Sequence, residues 1–160
     1  MQAPLPYANL VGSQSPLTLL ASTPDQIAEL VQGWDDTRWF QSIAPGKWTA
    51  SQIILHLAHD EIGWCNRIRL AMVIDDYVIQ PYDGAQWIEL ESPSQARTAL
   101  NAYLALRHLN MILFERIPLP VRERSIAHPE LGEISIDWML NTLAGHDLRH
   151  LQQLRTIASL

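Results

Sequence analysis

Two histidines, His146 and His150, stand four residues apart in a segment whose apolar residues recur at helical spacing. In an α-helix, residues i and i+4 lie one turn apart on the same face, so both imidazoles can point to one spot. Helices that bind a metal ion through two histidines use this spacing. Two ligands leave a metal site incomplete, so the rest of the chain must supply at least a third.

A second helical segment offers two candidates for the third ligand, His56 and His59. The inner faces of different helices meet in a bundle, so a histidine from this segment can join the first pair. The apolar periodicity of the segment favours His56, one turn before Asp60, but leaves His59 open. Three imidazoles with an open position suit zinc, nickel or another borderline divalent ion. We expect His108 and His128 to be non-ligands.

Three carboxylates close to these histidines in the sequence are the candidate catalytic groups: Asp60, Glu61 and Asp147. A carboxylate can orient a ligand imidazole, or it can act as a general base on a water molecule. The alternative for each is a solvated helix face or a salt bridge to an arginine. The candidate partners are Arg67, Arg69 and Arg149.

Four long amphipathic segments with no strand periodicity predict an all-α four-helix bundle. Thr followed three residues later by Gln predicts the start of the first two helices, and Ser135 can cap the fourth. The longer connections after the second and third helices predict an arrangement other than a simple up-down-up-down array. The predicted helices span residues 23–42, 50–74, from the 92–95 segment to about 116, and 136–158.

The first 22 residues differ from the rest of the chain, with three prolines and a polar Gly-Ser-Gln-Ser tract. This composition predicts an extended N-terminal arm at residues 1–22. Residues 23–160 are then a single bundle domain.

Composition limits the possible partners of this 160-residue chain. Its net charge of −6, with Lys47 as the one lysine, argues against a protein that binds nucleic acid through a basic face. The single cysteine, Cys65, excludes a disulfide framework and a cysteine-rich zinc site, and we expect it to be an inert core residue. Without a basic N-terminal region or a bilayer-length apolar run, we expect a cytoplasmic protein with no membrane partner.

Several short motifs, in this order and at these separations, resemble the DinB/YfiT-like family of metal-dependent enzymes over residues 25–158. Individually the motifs are short, but their combination is fairly specific. They are Trp48-Thr49, the Gln52–Leu57 segment that contains His56, the acidic pair Asp60-Glu61, Leu131-Gly132-Glu133, and the His146–Gln153 segment.

This resemblance implies a DinB/YfiT-like bundle in which His56, His146 and His150 bind one divalent ion, most often nickel or zinc. It also implies a homodimer and a small-molecule substrate, with transfer of a low-molecular-weight thiol to an electrophile as the favoured reaction. The alternatives are a metal-dependent hydrolase, a non-catalytic metal-binding or stress-response bundle, and an interaction bundle without metal. Neither the N-terminal arm nor His59 inherits a role from the family.

Overall fold

The computed structural model describes residues 3–93 and 95–160, and it contains four long helices with shorter elements between them. In chain order the elements are α1 (Ala8–Val11), α2 (Pro16–Leu30), α3 (Asp36–Trp39), α4 (Ala50–Val73), α5 (Gly84–Glu91), α6 (Ala96–Phe114), α7 (Leu119–Arg122), β1 (Ser125–His128), β2 (Gly132–Ser135) and α8 (Ile136–Ala158).

The four long helices form a bundle in which α2 and α4 each pack against both α6 and α8. The order around the bundle is therefore α2, α6, α4, α8, and consecutive long helices are not always neighbours. This confirms the predicted all-α four-helix bundle with an arrangement other than a simple up-down-up-down array. No helix within the described residues is both long and apolar enough to cross a membrane.

A layer of buried polar side chains separates two apolar clusters inside the bundle. One cluster contains Leu20, Phe114 and Leu143, and the other contains Ile54, Tyr103 and Leu154. Each long helix contributes one residue to the layer between them. The four residues of this polar layer are Thr23, Glu61, Arg107 and Asp147.

The predicted starts of α4 and α8 are confirmed, because the cap residues make the expected hydrogen bonds. Thr49 and Gln52 form a capping box in which the Thr49 N–H donates to Gln52 Oε1 at 2.9 Å. The Trp138 N–H donates to Ser135 Oγ at 3.1 Å at the start of α8. These bonds satisfy N–H groups that have no partner within the helix.

The first long helix differs from the predicted range, because α2 starts at Pro16 and ends at Leu30. The prediction placed Pro24 in the first turn, where proline is favoured, but the structure places it inside the helix. A proline has no N–H, so the carbonyl of Leu20 one turn earlier loses its helical partner. Arg107 Nη1 donates to this carbonyl at 3.0 Å instead. A contact from another helix therefore compensates for the proline.

The predicted extended arm at residues 1–22 is likewise corrected, since residues 16–22 belong to α2 and a short helix, α1, precedes it. The segment before α2 packs on α8. Trp138 Nε1 donates to the Ala3 carbonyl at 2.9 Å. The side chain of Tyr7 lies directly over Gly145, where a Cβ atom would stand 2.2 Å from Tyr7 Cβ.

The two long connections contain short regular elements that the sequence pattern did not predict as such. Asp83 caps α5 by accepting from the Ala85 N–H at 2.9 Å. Strands β1 and β2 form an antiparallel hairpin in which Ser125 is paired with Ser135. Within the predicted start of the third helix, Ser94 lies outside the described residues, and α6 begins at Ala96.

Candidate metal centre

Three histidine side chains from two helices converge at one point between α4 and α8. His146 Nε2 lies 3.1 Å from His56 Nε2 and 3.0 Å from His150 Nε2. One ring nitrogen from each of the three residues lies within 4.8 Å of the other two. The structure therefore brings together the three histidines that the sequence analysis selected as metal ligands.

The outer ring nitrogens of two of these imidazoles face a side-chain oxygen, and one of the two makes a hydrogen bond to it. His150 Nδ1 donates to Gln153 Oε1 at 2.7 Å, which leaves the lone pair of His150 Nε2 directed to the centre. His146 Nδ1 lies 3.2 Å from Asp60 Oδ2 on the opposite side of its ring. A histidine that binds a metal through one nitrogen usually donates its other N–H to such an oxygen.

The three inner nitrogens cannot all satisfy one another by hydrogen bonding. A neutral imidazole carries one ring proton, so His146 Nε2 can donate to only one of the two nitrogens that it faces. In a tetrahedral site with metal–nitrogen bonds of 2.0–2.1 Å, the ligand nitrogens stand about 3.3 Å apart. The two separations that involve His146, 3.0 and 3.1 Å, are close to that value, and the third, between His56 and His150, is no more than 4.8 Å. The donor set therefore fits one divalent ion.

Burial keeps the imidazoles neutral, which is the state in which they bind a metal. Burial, together with the neighbouring imidazoles, lowers the pKa of His146 and of His150 to about 3. Burial also lowers the pKa of His56. All three side chains are thus poised to act as ligands at neutral pH.

Asp60 is the one candidate carboxylate that the structure places beside the histidines. Its Oδ2 atom lies 3.6 Å from His56 Nε2, and Tyr82 donates a hydrogen bond to its Oδ1 atom. Burial raises the pKa of the Asp60 carboxyl group. Asp60 can therefore orient His146 or exchange a proton with a group bound at the centre.

Glu61 and Asp147 instead belong to the polar layer inside the bundle. Arg107 pairs with both, through Nη2 to Glu61 Oε1 at 2.5 Å and Nη1 to Asp147 Oδ2 at 2.6 Å. Thr23 also donates to Asp147, and Asn110 donates to Glu61. Their arginine partner is thus Arg107 and none of the three predicted arginines. Their position indicates a structural role rather than a catalytic one.

His59, His128 and Cys65 are not among the donor atoms that converge at the centre, although His128 lines the first of the two clefts described below. The His59 ring contacts Trp87, and its Nε2 lies 3.3 Å from Glu91 on α5. His128 Nδ1 accepts from two backbone N–H groups in the hairpin turn. Cys65 is fully buried, and burial raises its pKa well above the usual value, as expected for an inert core thiol.

The centre lies between two clefts that small molecules can enter. The first, called here the Arg67 cleft, has a volume of about 330 Å³ and lies between α4, the 81–84 segment and the β1–β2 turn. The second has a volume of about 420 Å³ and lies on the side of Trp48 and Arg149. His56, His146 and Tyr7 line both clefts. Tyr7 therefore stands at the boundary between them.

Several residues around the centre were not singled out from the sequence as parts of the site. Trp48 packs against the rings of His56 and His150, at centroid distances of 4.8 and 6.2 Å. Gly84 lies so close to His56 that a Cβ atom would stand 2.9 Å from its Cε1. A signal was present for Gln153, which follows His150 by one helical turn. Tyr7 lies in the N-terminal segment, and Tyr82 and Gly84 lie just before and at the start of the short helix α5, where the sequence has no long periodic pattern to follow.

Comparison with known proteins agrees with this architecture. YfiT from Bacillus subtilis, described as having an unusual four-helix bundle topology, superposes with a TM-score of 0.83 at 20% identity, covering 90% of this chain and 84% of YfiT. The mycothiol-dependent maleylpyruvate isomerase superposes with a TM-score of 0.71 at 16% identity, covering 87% of this chain and 59% of the isomerase. At these identities the two structures show the shared fold alone.

Sequence comparison assigns the family. A protein of Oceanobacillus iheyensis named "Putative metal-dependent hydrolase OB0782" is 32% identical over 117 residues, which is 72% of this chain and 68% of that protein. The sequence model of the DinB superfamily matches residues 19–154, which include all three histidines of the centre. The chain therefore belongs to the DinB superfamily.

Proposed function

We propose that this protein is a metal-dependent enzyme in which His56, His146 and His150 bind one divalent ion. The observation that carries the proposal is the convergence of three neutral imidazoles beside two open clefts. The name of the Oceanobacillus relative, a metal-dependent hydrolase, supports the same class of protein. Nitrogen ligands of this kind suit nickel or zinc.

A catalytic role is favoured over a structural one by the composition of the site. Structural zinc sites are closed by four protein ligands, whereas catalytic sites keep a position for water or substrate. Among the described residues, the group of donors close enough to share one ion contains the three histidines and no carboxylate or thiolate. The open side of this group faces the clefts, where a substrate can reach it.

The side chains around the centre have distinct parts in this proposal. A bound divalent ion would lower the pKa of a water or thiol that it binds. Gln153 holds His150 in the required tautomer through its hydrogen bond. Asp60 Oδ2, at 3.2 Å from His146 Nδ1, favours a proton on that nitrogen by its charge. Because Asp60 also lies at the surface of the Arg67 cleft, its carboxylate can accept a proton from a nucleophile there. Tyr82 fixes the position of this carboxylate by its hydrogen bond.

Two reactions fit this arrangement. The names of the relatives favour hydrolysis, with water as the nucleophile. The similarity of fold to a mycothiol-dependent isomerase favours a low-molecular-weight thiol as the nucleophile, and transfer of such a thiol is the reaction that the family resemblance implies. In both cases the substrate is a small molecule. The homodimer and the cytoplasmic location stay predictions.

One assay with two substrates separates these reactions. The full-length protein, loaded with zinc or nickel, is given 4-nitrophenyl acetate alone, or 1-chloro-2,4-dinitrobenzene with cysteine as the thiol. We expect turnover of one of the two, with His150→Ala reduced to the uncatalysed rate and His108→Ala, at an exposed position, unchanged. Equal rates for wild type and His150→Ala with both substrates would contradict the proposed enzyme.

A further inference from the structure

Arg67 is a buried cation that makes no ion pair with a carboxylate in the part of the chain that the structure describes. Its side chain lies in the Arg67 cleft, and the residue is only 7% exposed. Within the described part of the chain, Arg107 is the arginine that forms ion pairs with carboxylates, and none is formed by Arg67. Buried charges are costly unless they are paired, so a guanidinium in this position calls for an anion.

The guanidinium group of Arg67 is held in place by direct contacts with neutral groups, and Asp60, beyond the Tyr82 ring, acts on its charge only at longer range. Its Nη2 atom donates to the Gln80 carbonyl, and its Cζ atom lies 4.7 Å from the centre of the Tyr82 ring. The Trp64 ring lies 5.7 Å away on another side. These are neutral partners, so they orient the guanidinium and do not neutralise it. An arginine oriented in this way loses little side-chain freedom when it binds a ligand.

A single stripe of α4 connects Arg67 to the candidate metal centre. His56, Asp60, Gly63 and Arg67 recur at the spacing of one helical face, so Arg67 lies about three turns from His56. Gly63 leaves room for the Tyr82 ring, because a Cβ atom there would stand 3.0 Å from Tyr82 Cε1. The Tyr82 hydroxyl can therefore donate to Asp60 while the face of its ring contacts the Arg67 guanidinium.

We propose that the Arg67 cleft binds a small carboxylate with an apolar or aromatic body, whose carboxylate pairs with Arg67 while its other end lies at the three histidines. The assignment of the reacting end rests on the proposed function, whereas the pairing with Arg67 does not. Aromatic and apolar side chains, including Trp64, Trp138 and Leu143, supply the surface for the body of the ligand. A volume of about 330 Å³ suits a ligand of this size.

The charges of the cleft favour a carboxylate over a phosphate group. Asp60 and Glu130 also line the cleft. These carboxylates repel a dianion such as a phosphate group more strongly than a ligand with a single negative charge. One planar guanidinium matches the two oxygens of a carboxylate. The neighbouring cleft carries Lys47 and Arg149, but both are exposed to solvent, where an ion pair is worth little.

The test uses three probes of similar shape: benzoate, benzamide and phenyl phosphate. Each is titrated into the full-length protein as purified, at pH 7.5, and the quenching of tryptophan fluorescence or NMR shifts give the Kd. We expect benzoate to bind at least about tenfold more tightly than either other probe, the range of a charge-assisted hydrogen bond. Benzamide or phenyl phosphate binding as tightly as benzoate would overturn the proposal.

Three variants locate the binding. Arg67→Met should weaken benzoate at least about tenfold and leave benzamide unchanged, and Arg67→Lys should fall between Arg67→Met and wild type. Arg149→Met removes an exposed charge from the other cleft and should change the Kd less than about twofold. The assignment of the carboxylate to Arg67 would be overturned if Arg149→Met lost as much affinity for benzoate as Arg67→Met. Unchanged benzoate binding in both Arg67→Met and Arg67→Lys would overturn it as well.

A repeat in the His150→Ala background separates this proposal from the metal site. The factor by which Arg67→Met weakens benzoate binding should be the same with and without His150. If the purified protein holds no metal, the proposed function is contradicted. The weakening of benzoate binding by Arg67→Met still tests whether Arg67 pairs with the carboxylate. If the effect of Arg67→Met disappears in His150→Ala, the anion binds at the centre itself and the Arg67 proposal is overturned.

Discussion

At the scale of single residues, the candidate centre depends on which ring nitrogen of each histidine carries the proton. Gln153 Oε1 accepts from His150 Nδ1 at 2.7 Å and so fixes the tautomer in which Nε2 is free. Without this acceptor, the proton can move to Nε2, and the ring can rotate away from the centre. Gln153 is therefore a positioning residue for His150.

Replacing Gln153 should weaken metal binding without unfolding the protein. We expect Gln153→Leu to lower the affinity for zinc about 10- to 100-fold, the usual effect of removing the hydrogen-bond partner of a ligand histidine. Competition with a chromophoric chelator measures this affinity. Gln152→Leu, at an exposed position of the same helix, is the matched control. Gln153→Glu should restore most of the affinity because it keeps an acceptor oxygen. Equal affinities for the two Leu variants would contradict this role.

At the scale of the elements, the segment before α2 is joined to the centre through a close approach between Tyr7 and Gly145. Gly145 lies one residue before His146 on α8, and its missing side chain makes room for the Tyr7 side chain. The ring of Tyr7 then lies 6.0 Å from that of His146. Docking of the segment therefore depends on a glycine inside a long helix.

The substitution Gly145→Ala should reverse the usual effect of alanine in a helix. Alanine normally stabilises a helix interior by about 1 kcal/mol relative to glycine. Here the new Cβ atom would stand 2.2 Å from Tyr7 Cβ, so we expect a loss of about 1 to 3 kcal/mol in the free energy of unfolding. Urea denaturation measures it.

A double-mutant cycle tests the cause of that loss. In the Tyr7→Gly background the clash with Tyr7 is absent, and the one remaining close contact is with Val11 Cγ2 at 3.2 Å, the end of a side chain. Gly145→Ala should therefore become close to neutral or stabilising. Stabilisation by Gly145→Ala in the wild-type background would show that Tyr7 does not pack on Gly145 as described.

Which elements could be predicted depended on whether their signals were local. Helix α8 matches its predicted range, and α4 differs from its range only at the last residue. Their starts could be predicted because each cap residue bonds to a residue only three positions away, as Thr49 does with Gln52 and Ser135 with Trp138. The start of α2 could not be predicted, because it depends on a distant residue. Pro24 is tolerated inside the helix since Arg107, 87 positions after Leu20, donates a hydrogen bond to the Leu20 carbonyl. Helix α5 was missed because it is short and Asp83-Gly84 also suits a turn.

The candidate site shows the same division between local and distant signals. The i, i+4 spacing of His146 and His150 predicts that they share a face, and the structure places them together. Periodicity favoured His56 but left His59 open, and the family resemblance then selected His56. Neither source predicted Arg107 as the partner of Glu61 and Asp147, because that pairing depends on how the helices are arranged around the bundle.

At the scale of the whole molecule, the polar layer ties all four long helices together through Arg107. The guanidinium contacts Glu61 on α4, Asp147 on α8 and the Leu20 carbonyl on α2, while Arg107 itself lies on α6. The layer holds α4 and α8 at a fixed separation. The three histidines lie on these same two helices, so the layer also fixes the distance across which they must meet.

Removal of Arg107 should be strongly destabilising. Arg107→Met leaves two buried carboxylates without a counter-charge, for which we expect a loss of about 3 to 5 kcal/mol in the free energy of unfolding. Thermal or urea unfolding measures it. Arg116→Met, at an exposed position two residues after the end of α6, should change stability by less than about 0.5 kcal/mol. A loss in Arg107→Met no larger than this would contradict the role of the layer.

The central claim is that three histidines, and not a fourth, bind one divalent ion. Elemental analysis of the purified full-length protein, beside His150→Ala and His59→Ala, tests it most directly. We predict about one equivalent of zinc or nickel per chain in wild type and in His59→Ala, and almost none in His150→Ala. No stoichiometric metal in wild type, or full occupancy retained in His150→Ala, would contradict the account.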